Sequence, residues 1–90
     1  MNDGLQFKVK RVYRFEGDSK TKAFVDLAIN DEIVIRGLKV VQGQKDLFVS
    51  MPREKGKDGK WYDMVRPLNK ELTQRIWSVV LSAYEKDNEV

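Results

Sequence analysis

The residues with the clearest chemical potential lie in a charged segment over residues 53–60. Four cations occur there, and the aromatic residues Trp61 and Tyr62 follow directly. The four cations are Arg53, Lys55, Lys57 and Lys60. Because cations contact phosphates and flat aromatic rings stack on bases, this adjacency suits a nucleic-acid contact. Glu54 and Asp58 reduce the formal charge of the segment from +4 to +2, and a solvated loop has the same composition, so both interpretations stay open.

Two other candidate nucleic-acid contacts, Trp61 and a basic row in the first strand, can also be explained by packing or by protection of a strand edge. Trp61 taken alone favours a core or interface position over a stacking platform. A second basic row is predicted in the first strand, where Lys8, Lys10 and Arg14 alternate onto one face. Charged side chains also protect a strand edge from pairing with other chains, and that protective role is the alternative for this row.

Residues for catalysis and metal binding are scarce. The chain has no histidine and no cysteine, which excludes a histidine base, a Ser-His-Asp triad, disulfides, and imidazole or thiolate metal ligands. Asp26 and Asp63 are the carboxylates within apolar stretches. We expect Asp26 to face solvent or to pair with a strand cation, and Asp63 to make a structural hydrogen bond. These roles are favoured over a pair of catalytic carboxylates that would hydrolyse a glycoside. The sequence therefore predicts no enzyme, no metal, no cofactor and no small-molecule substrate.

The overall composition is that of an ordinary globular protein. Its 90 residues fit one domain, residues 1–90, with 41% hydrophobic and 34% charged residues. The formal net charge of +3 permits an anionic partner without implying one, so the distribution of charge has to decide. We see no signal-peptide pattern and no apolar stretch of membrane-spanning length, and therefore expect a cytoplasmic protein with no membrane partner.

Alternation of apolar and polar residues predicts five strands, at residues 6–15, 22–30, 32–41, 47–51 and 61–66. A helix follows to about Lys86, with Asn69 as its N-cap. Its apolar residues cover roughly half of the circumference, which is wider than one buried face requires. The prediction is an α+β fold, in which a C-terminal helix covers an antiparallel sheet of roughly five strands.

Two backbone positions are expected to be special. Asn30 and Asp31 tolerate positive φ and suit a two-residue hairpin turn. The alternation of the third strand slips at Gly37, because Ile35 shares a face with residues before the glycine and Leu38 with residues after it. An inserted residue shifts the alternation by one, so the sequence predicts a β-bulge at Gly37.

Two segments resemble the signature of the stage V sporulation protein G family. The first is LFVSMP at residues 47–52, followed by the basic segment with its Asp-Gly pair, and the second is YDMVRPLN at residues 62–69. Members of that family carry a Leu-Phe-Val-small-Met-Pro strand, a basic loop with Asp-Gly, and an Asp-apolar-apolar-His-Pro-Ile stretch before the helix. The resemblance covers about residues 6–86.

The sequence departs from this family pattern at three places. Asp46 stands where members usually have glycine, Arg66 where they have histidine, and Arg36-Gly37 replaces a common His-Asp pair. The departures leave the fold assignment unchanged and make this copy more basic around the charged segment.

The resemblance implies a curved antiparallel sheet with a C-terminal helix, dimerisation, and site-selective binding of DNA or RNA by a regulator of the sporulation or septation type. Carried over by position, the contact region is the basic segment and residues 61–66, with Trp61 and Tyr62 stacking on bases. Residues expected to contact phosphates or base edges are Arg53, Lys55, Lys57, Lys60 and Arg66, with Lys70 and Arg75 reaching the backbone from the helix. Arginine at position 66 can fork onto guanine, which histidine cannot do.

Self-association and protein binding complete the expectations. The wide apolar arc of the helix and the uncovered strand edges predict a homodimer, with Trp77 and Leu81 at its interface. The alternative function is a protein-interaction module in cell division or septation, which would act through a sheet edge or through the same strip of the helix.

Overall fold

The computed structural model describes residues 4–15, 17 and 19–88 and has an α+β fold, as predicted. A four-stranded antiparallel sheet runs in the order β1-β2-β3-β4, and β5 and β6 form a separate two-stranded hairpin. The elements are β1 Phe7–Arg14, β2 Thr21–Ile29, β3 Ile33–Gln42, β4 Leu47–Ser50, β5 Arg53–Lys55, β6 Trp61–Asp63 and α1 Lys70–Asn88. The expected single sheet of five strands is thus divided into four strands and a hairpin. Pro52 has no amide hydrogen to donate to a ladder, so the chain leaves the sheet after β4.

One face of the four-stranded sheet packs against α1 and forms the core. Alternate residues of the strands are fully or nearly fully buried there, and Ile76 and Val80 of α1 close over them. The buried strand residues are Ala23, Val25, Leu27, Leu38, Val40 and Val49. Asn69 caps α1 as predicted, since its Oδ1 accepts a hydrogen bond from the amide of Leu72 at 2.8 Å. We call the opposite side of the sheet the outer face.

The turn between β2 and β3 has the predicted positive φ values, but its loop has three residues, 30–32, and not two, since Ile29 pairs with Ile33. Asn30 and Asp31 both have positive φ, 54° and 55°, and the amide of Glu32 donates to the carbonyl of Ile29 at 3.0 Å. The Asn30 side chain accepts from the amide of Gln6 and donates to the carbonyl of Gly4. This asparagine therefore also anchors the segment that enters β1.

The bulge at Gly37 is confirmed. Val25 pairs with Leu38 and Leu27 pairs with Ile35, so β3 contains one residue more than β2 across this interval. Gly37 has a φ of 95°, in the left-handed region that favours glycine. Beyond it, Leu38 and Val40 point into the core, and Lys39 points to the outer face.

Replacement of Gly37 by valine is expected to lower the free energy of unfolding by about 1–3 kcal/mol. A Cβ at this position would lie 4.0 Å from the Cβ of Pro52, which is ordinary contact, so the loss would come from the positive φ. Gly37→Asn is the matched control, because asparagine tolerates this backbone better than a β-branched residue. Equal melting temperatures for wild type and Gly37→Val would contradict the prediction.

The predicted assignment of β1 side chains to the two faces of the sheet is wrong for the residues after Val9. Val9 pairs with Leu27 and Arg11 pairs with Asp26, so β1 carries a bulge of its own between these positions. Val12 consequently packs against the core, and Arg14 stacks over the ring of Tyr84 at 4.0 Å. The predicted basic row therefore does not exist as one surface, because Arg14 faces α1.

Candidate nucleic-acid interface

The basic segment forms part of a two-stranded hairpin, whereas the sequence places a loop between the strands at residues 47–51 and 61–66. Arg53 pairs with Asp63 and Lys55 pairs with Trp61, which makes β5 and β6 antiparallel partners. The amide of Gly56 donates to the carbonyl of Lys60 at 2.7 Å and closes the hairpin end. We call residues 53–63 the basic hairpin.

Asp58 and Tyr62 lock the turn of the basic hairpin. The Tyr62 hydroxyl donates to Oδ2 of Asp58 at 2.5 Å, and Oδ1 of the same carboxylate accepts from the amide of Lys60 at 3.0 Å. This hydrogen bond between Tyr62 and Asp58 lowers the pKa of the Asp58 carboxyl and raises the pKa of the Tyr62 hydroxyl. A Cβ on Gly56 would lie only 2.8 Å from the Tyr62 ring, so glycine is required for this close approach.

An ion pair joins the two strands at the other end of the basic hairpin. Nε of Arg53 lies 3.1 Å from Oδ1 of Asp63, with both side chains about half exposed. Asp63 is thus engaged in an ion pair, in place of the structural hydrogen bond that was expected. The pair fixes the Arg53 side chain across the strands.

The remaining cations of the basic hairpin point to solvent. Lys55, Lys57 and Lys60 are exposed, and Trp61 beside them keeps 57% of its surface accessible. The core position that Trp61 alone suggested is therefore wrong. An ordered backbone with exposed lysines and an exposed indole can meet phosphates and bases with little loss of conformational freedom.

Arg66 lies beside this surface. It lines a shallow groove of about 280 Å³ together with Arg53, Trp61, Tyr62 and Asp63. Pro67 follows it in sequence and favours an extended backbone at position 66. The structure thus brings Arg66 together with four residues of the basic hairpin.

Three residues of the outer face adjoin the basic hairpin and were not identified from the sequence. Arg36, Lys39 and Phe48 line a second, larger groove that also includes Arg53 and Trp61. The predicted phase change at Gly37 already places Lys39 opposite Leu38 and Val40. The proximity of β3 and β4 to the hairpin was not contained in any local pattern.

Comparisons with known proteins agree with the resemblance. The SpoVG family model matches residues 6–86. The chain belongs to the SpoVG family. A septation protein SpoVG of Archaeoglobus fulgidus is 40% identical over 76 residues, which cover 84% of this chain and 89% of the relative. The protein of the same name from Agathobacter rectalis is 35% identical and covers 94% of this chain and 98% of the relative.

The two helical cations predicted for the SpoVG contact region have different surroundings. Lys70 is exposed at the first residue of α1. Arg75 donates from Nη2 to the carbonyl of Leu5 at 2.6 Å and lies 5.2 Å from the centre of the Phe7 ring. These contacts hold Arg75 on the β1 side of the helix.

The strip predicted for SpoVG dimerisation lies at the β4 edge. Trp77 and Leu81 are half-buried at the margin of the core, and the rings of Trp77 and Phe48 are 6.5 Å apart. Leu81 lines a groove with Gln42 and Leu47. Because β4 ends the order of the four-stranded sheet, the strip and a strand edge form one surface.

Within the described residues no group of three or more carboxylates is arranged to hold a metal ion. Asp26 is 8% exposed and lies 3.9 Å from Nε of Arg36, so the predicted cation pair is confirmed and the solvent-facing alternative is wrong. In the same part of the chain, no helix has the length and apolarity to cross a membrane.

Proposed function

We propose that this SpoVG-family protein binds nucleic acid through the basic hairpin and Arg66, as a site-selective regulator. The observation that carries the proposal is the ordered hairpin, in which Lys55, Lys57 and Lys60 are exposed beside the accessible indole of Trp61. Lysines supply charge for phosphates, and the indole supplies a flat face for a base. Arg66 adds a guanidinium that can read a base edge.

The modest net charge is compatible with this function because the cations are concentrated. Within residues 53–66 there are five cations and three carboxylates, and one carboxylate, Asp63, is paired with Arg53. Asp58 is likewise occupied by hydrogen bonds within the hairpin turn. The third carboxylate, Glu54, is exposed on β5, and Lys55, Lys57 and Lys60 outnumber it among the solvent-facing charges of the basic hairpin.

The salt dependence of binding tests this proposal. If the three lysines of the basic hairpin each neutralise one phosphate, the logarithm of the affinity should fall with the logarithm of salt concentration. The slope should be about −2.7 for duplex DNA and about −2.1 for a single strand. Retention on heparin with elution by salt is the simpler first measurement. Passage through heparin at low salt, together with no measurable affinity for DNA or RNA, would contradict the proposal.

A protein-interaction module is the second candidate, favoured by exposed apolar side chains near the basic hairpin. Leu68 is 84% exposed and Met64 is 58% exposed, on the segment that leads into α1. Exposed apolar groups of this kind are common at protein interfaces, and the relatives carry the name of septation proteins. A module of this type should not be retained by heparin, whereas Leu68→Ser should reduce its capture of a protein partner.

We further propose that the protein is a homodimer joined at the β4 edge and the Trp77–Leu81 strip. Light scattering at micromolar concentration should then give about twice the chain mass of 10.5 kDa. Trp77→Ala with Leu81→Ser should shift the mass toward the monomer, and Ser78→Ala on an exposed position of the same helix is the control. A monomer mass across a hundredfold dilution series would contradict dimerisation.

A further inference from the structure

The larger of the two grooves that Arg53 and Trp61 line lies between the outer face and the basic hairpin. Its volume is about 570 Å³, within the range of roughly 300–1,000 Å³ found for small-molecule sites. We call it the sheet groove. Its aromatic lining comes from three elements, with Phe24 on β2, Phe48 on β4 and Trp61 on β6.

The register of the strands explains why these aromatic residues meet. Phe24 pairs with Lys39, and Lys39 pairs with Ser50, so the three residues form one row across the outer face. In the adjacent row Val41 pairs with Phe48. The ring of Phe24 is held from one side by Phe15, with the ring centres 4.8 Å apart and nearly perpendicular.

The charged lining of the sheet groove is cationic. Its ionisable residues are Arg36, Lys39 and Arg53, and the described residues that line the groove include no carboxylate. Asp26 lies near Arg36 and Asp63 near Arg53, which orients the two guanidiniums. The Arg36 side chain nevertheless remains 77% exposed. Nζ of Lys39 lies 5.8 Å from the centre of the Phe24 ring.

Flat apolar surfaces interleaved with cations are the chemistry that recognises an unpaired base and its phosphate. In a duplex the faces of the bases are covered by their neighbours, and an aromatic side chain reaches them only after unstacking. We propose that the sheet groove binds the unstacked bases of a single-stranded nucleic acid. The proposal rests on the function proposed above and extends it from the hairpin to the outer face.

The two grooves that share Arg53 and Trp61 define a path for a single-stranded nucleic acid. Arg53 and Trp61 line both the sheet groove and the smaller groove that contains Arg66. A single strand can therefore run from Arg66 over Trp61 to Phe48, with its phosphates near Arg53 and Lys39. Lys39 and Phe48 lie outside the basic hairpin, and their substitution separates this proposal from the preceding one.

The test compares single strands with duplexes of equal length, using dT12, rU12 and a 12-base-pair DNA. Phe48→Leu removes the flat ring and keeps apolar bulk, so affinity for the single strands should fall about 5- to 150-fold, with duplex affinity unchanged. Phe48→Tyr keeps the ring and should bind like wild type. Lys39→Ala should flatten the salt slope on single strands by about 0.7, and Lys45→Ala, which removes an exposed lysine of the β3–β4 turn, should not.

A fluorescence measurement tests the sheet groove without substitution of Phe48 or Lys39. The chain has two tryptophans, so Trp61 is the sole indole in a Trp77→Phe background. Stacking predicts that dT12 quenches its emission and that the duplex quenches it less. Equal affinity for duplex and single strand, with no effect of Phe48→Leu, would overturn the proposal that the sheet groove binds unstacked bases. The function proposed for the basic hairpin would remain. Loss of self-association on Phe48→Leu with unchanged nucleic-acid affinity would also overturn the sheet-groove proposal, and absence of binding to all three probes would overturn both proposals.

Discussion

Replacing Lys55 and Lys57 together by alanine should weaken binding to every nucleic-acid sequence alike. Both side chains are exposed on the basic hairpin, where they are available to phosphates, and phosphate contacts carry no sequence information. Loss of two contacts should flatten the salt slope by about 1.8 on duplex DNA. The ratio of wild-type affinity to variant affinity for duplex DNA should therefore be about 12-fold larger at 50 mM salt than at 200 mM salt.

The control removes two lysines from the other predicted basic surface. Lys8 and Lys10 are exposed on β1, and Nζ of Lys10 lies 3.8 Å from a carboxylate oxygen of Asp31. The Lys8→Ala, Lys10→Ala variant loses the same formal charge as the hairpin variant, so it corrects for the change in net charge alone. Full-strength and equally salt-sensitive binding by the Lys55→Ala, Lys57→Ala variant would move the interface to β1.

The two bulges show what local sequence can reveal about a strand. The bulge of β3 was predicted because it coincides with Gly37, a residue that favours the positive φ found there. The bulge of β1 lies between Val9 and Arg11 and has no glycine to mark it. Both bulges lie opposite Asp26 on β2. The pairing of the central strand with its neighbours, rather than any pattern within β1, decides which way Arg14 points.

The basic hairpin was missed as a structure for a related reason. Residues 53–60 have no apolar alternation, so their composition predicts a solvated loop. Order comes instead from contacts between residues that the sequence separates, namely the Arg53–Asp63 ion pair and the Tyr62–Asp58 hydrogen bond. The cations themselves could be selected as candidate nucleic-acid contacts from the sequence, because that selection needs only their residue types and spacing. Their neighbourhood with Lys39 and Phe48 was not predictable, because it depends on how the hairpin folds beside the sheet.

Arg66 differs from the lysines of the basic hairpin in the kind of contact that it can make. Its guanidinium presents a planar fork of donors, which matches the O6 and N7 acceptors of guanine. The residue lines a groove with Trp61 and Tyr62, so a base that reaches this groove would meet a ring and a fork together. Lysine at the same position would keep the charge and lose the fork.

Arg66→Ala should therefore reduce the preference between sites more than it reduces overall binding. The expected loss of discrimination is about 1–3 kcal/mol, or roughly 5- to 150-fold, with affinity for unrelated sequences nearly unchanged. A preferred sequence must first be selected from random pools of DNA and RNA, single-stranded and duplex, with the wild-type protein. Arg66→Lys is the matched variant, and it should lose discrimination to a similar degree while retaining the salt slope. If both variants keep the wild-type preference between selected and unrelated sequences, Arg66 does not read a base, and site selection has to come from other residues of the two grooves.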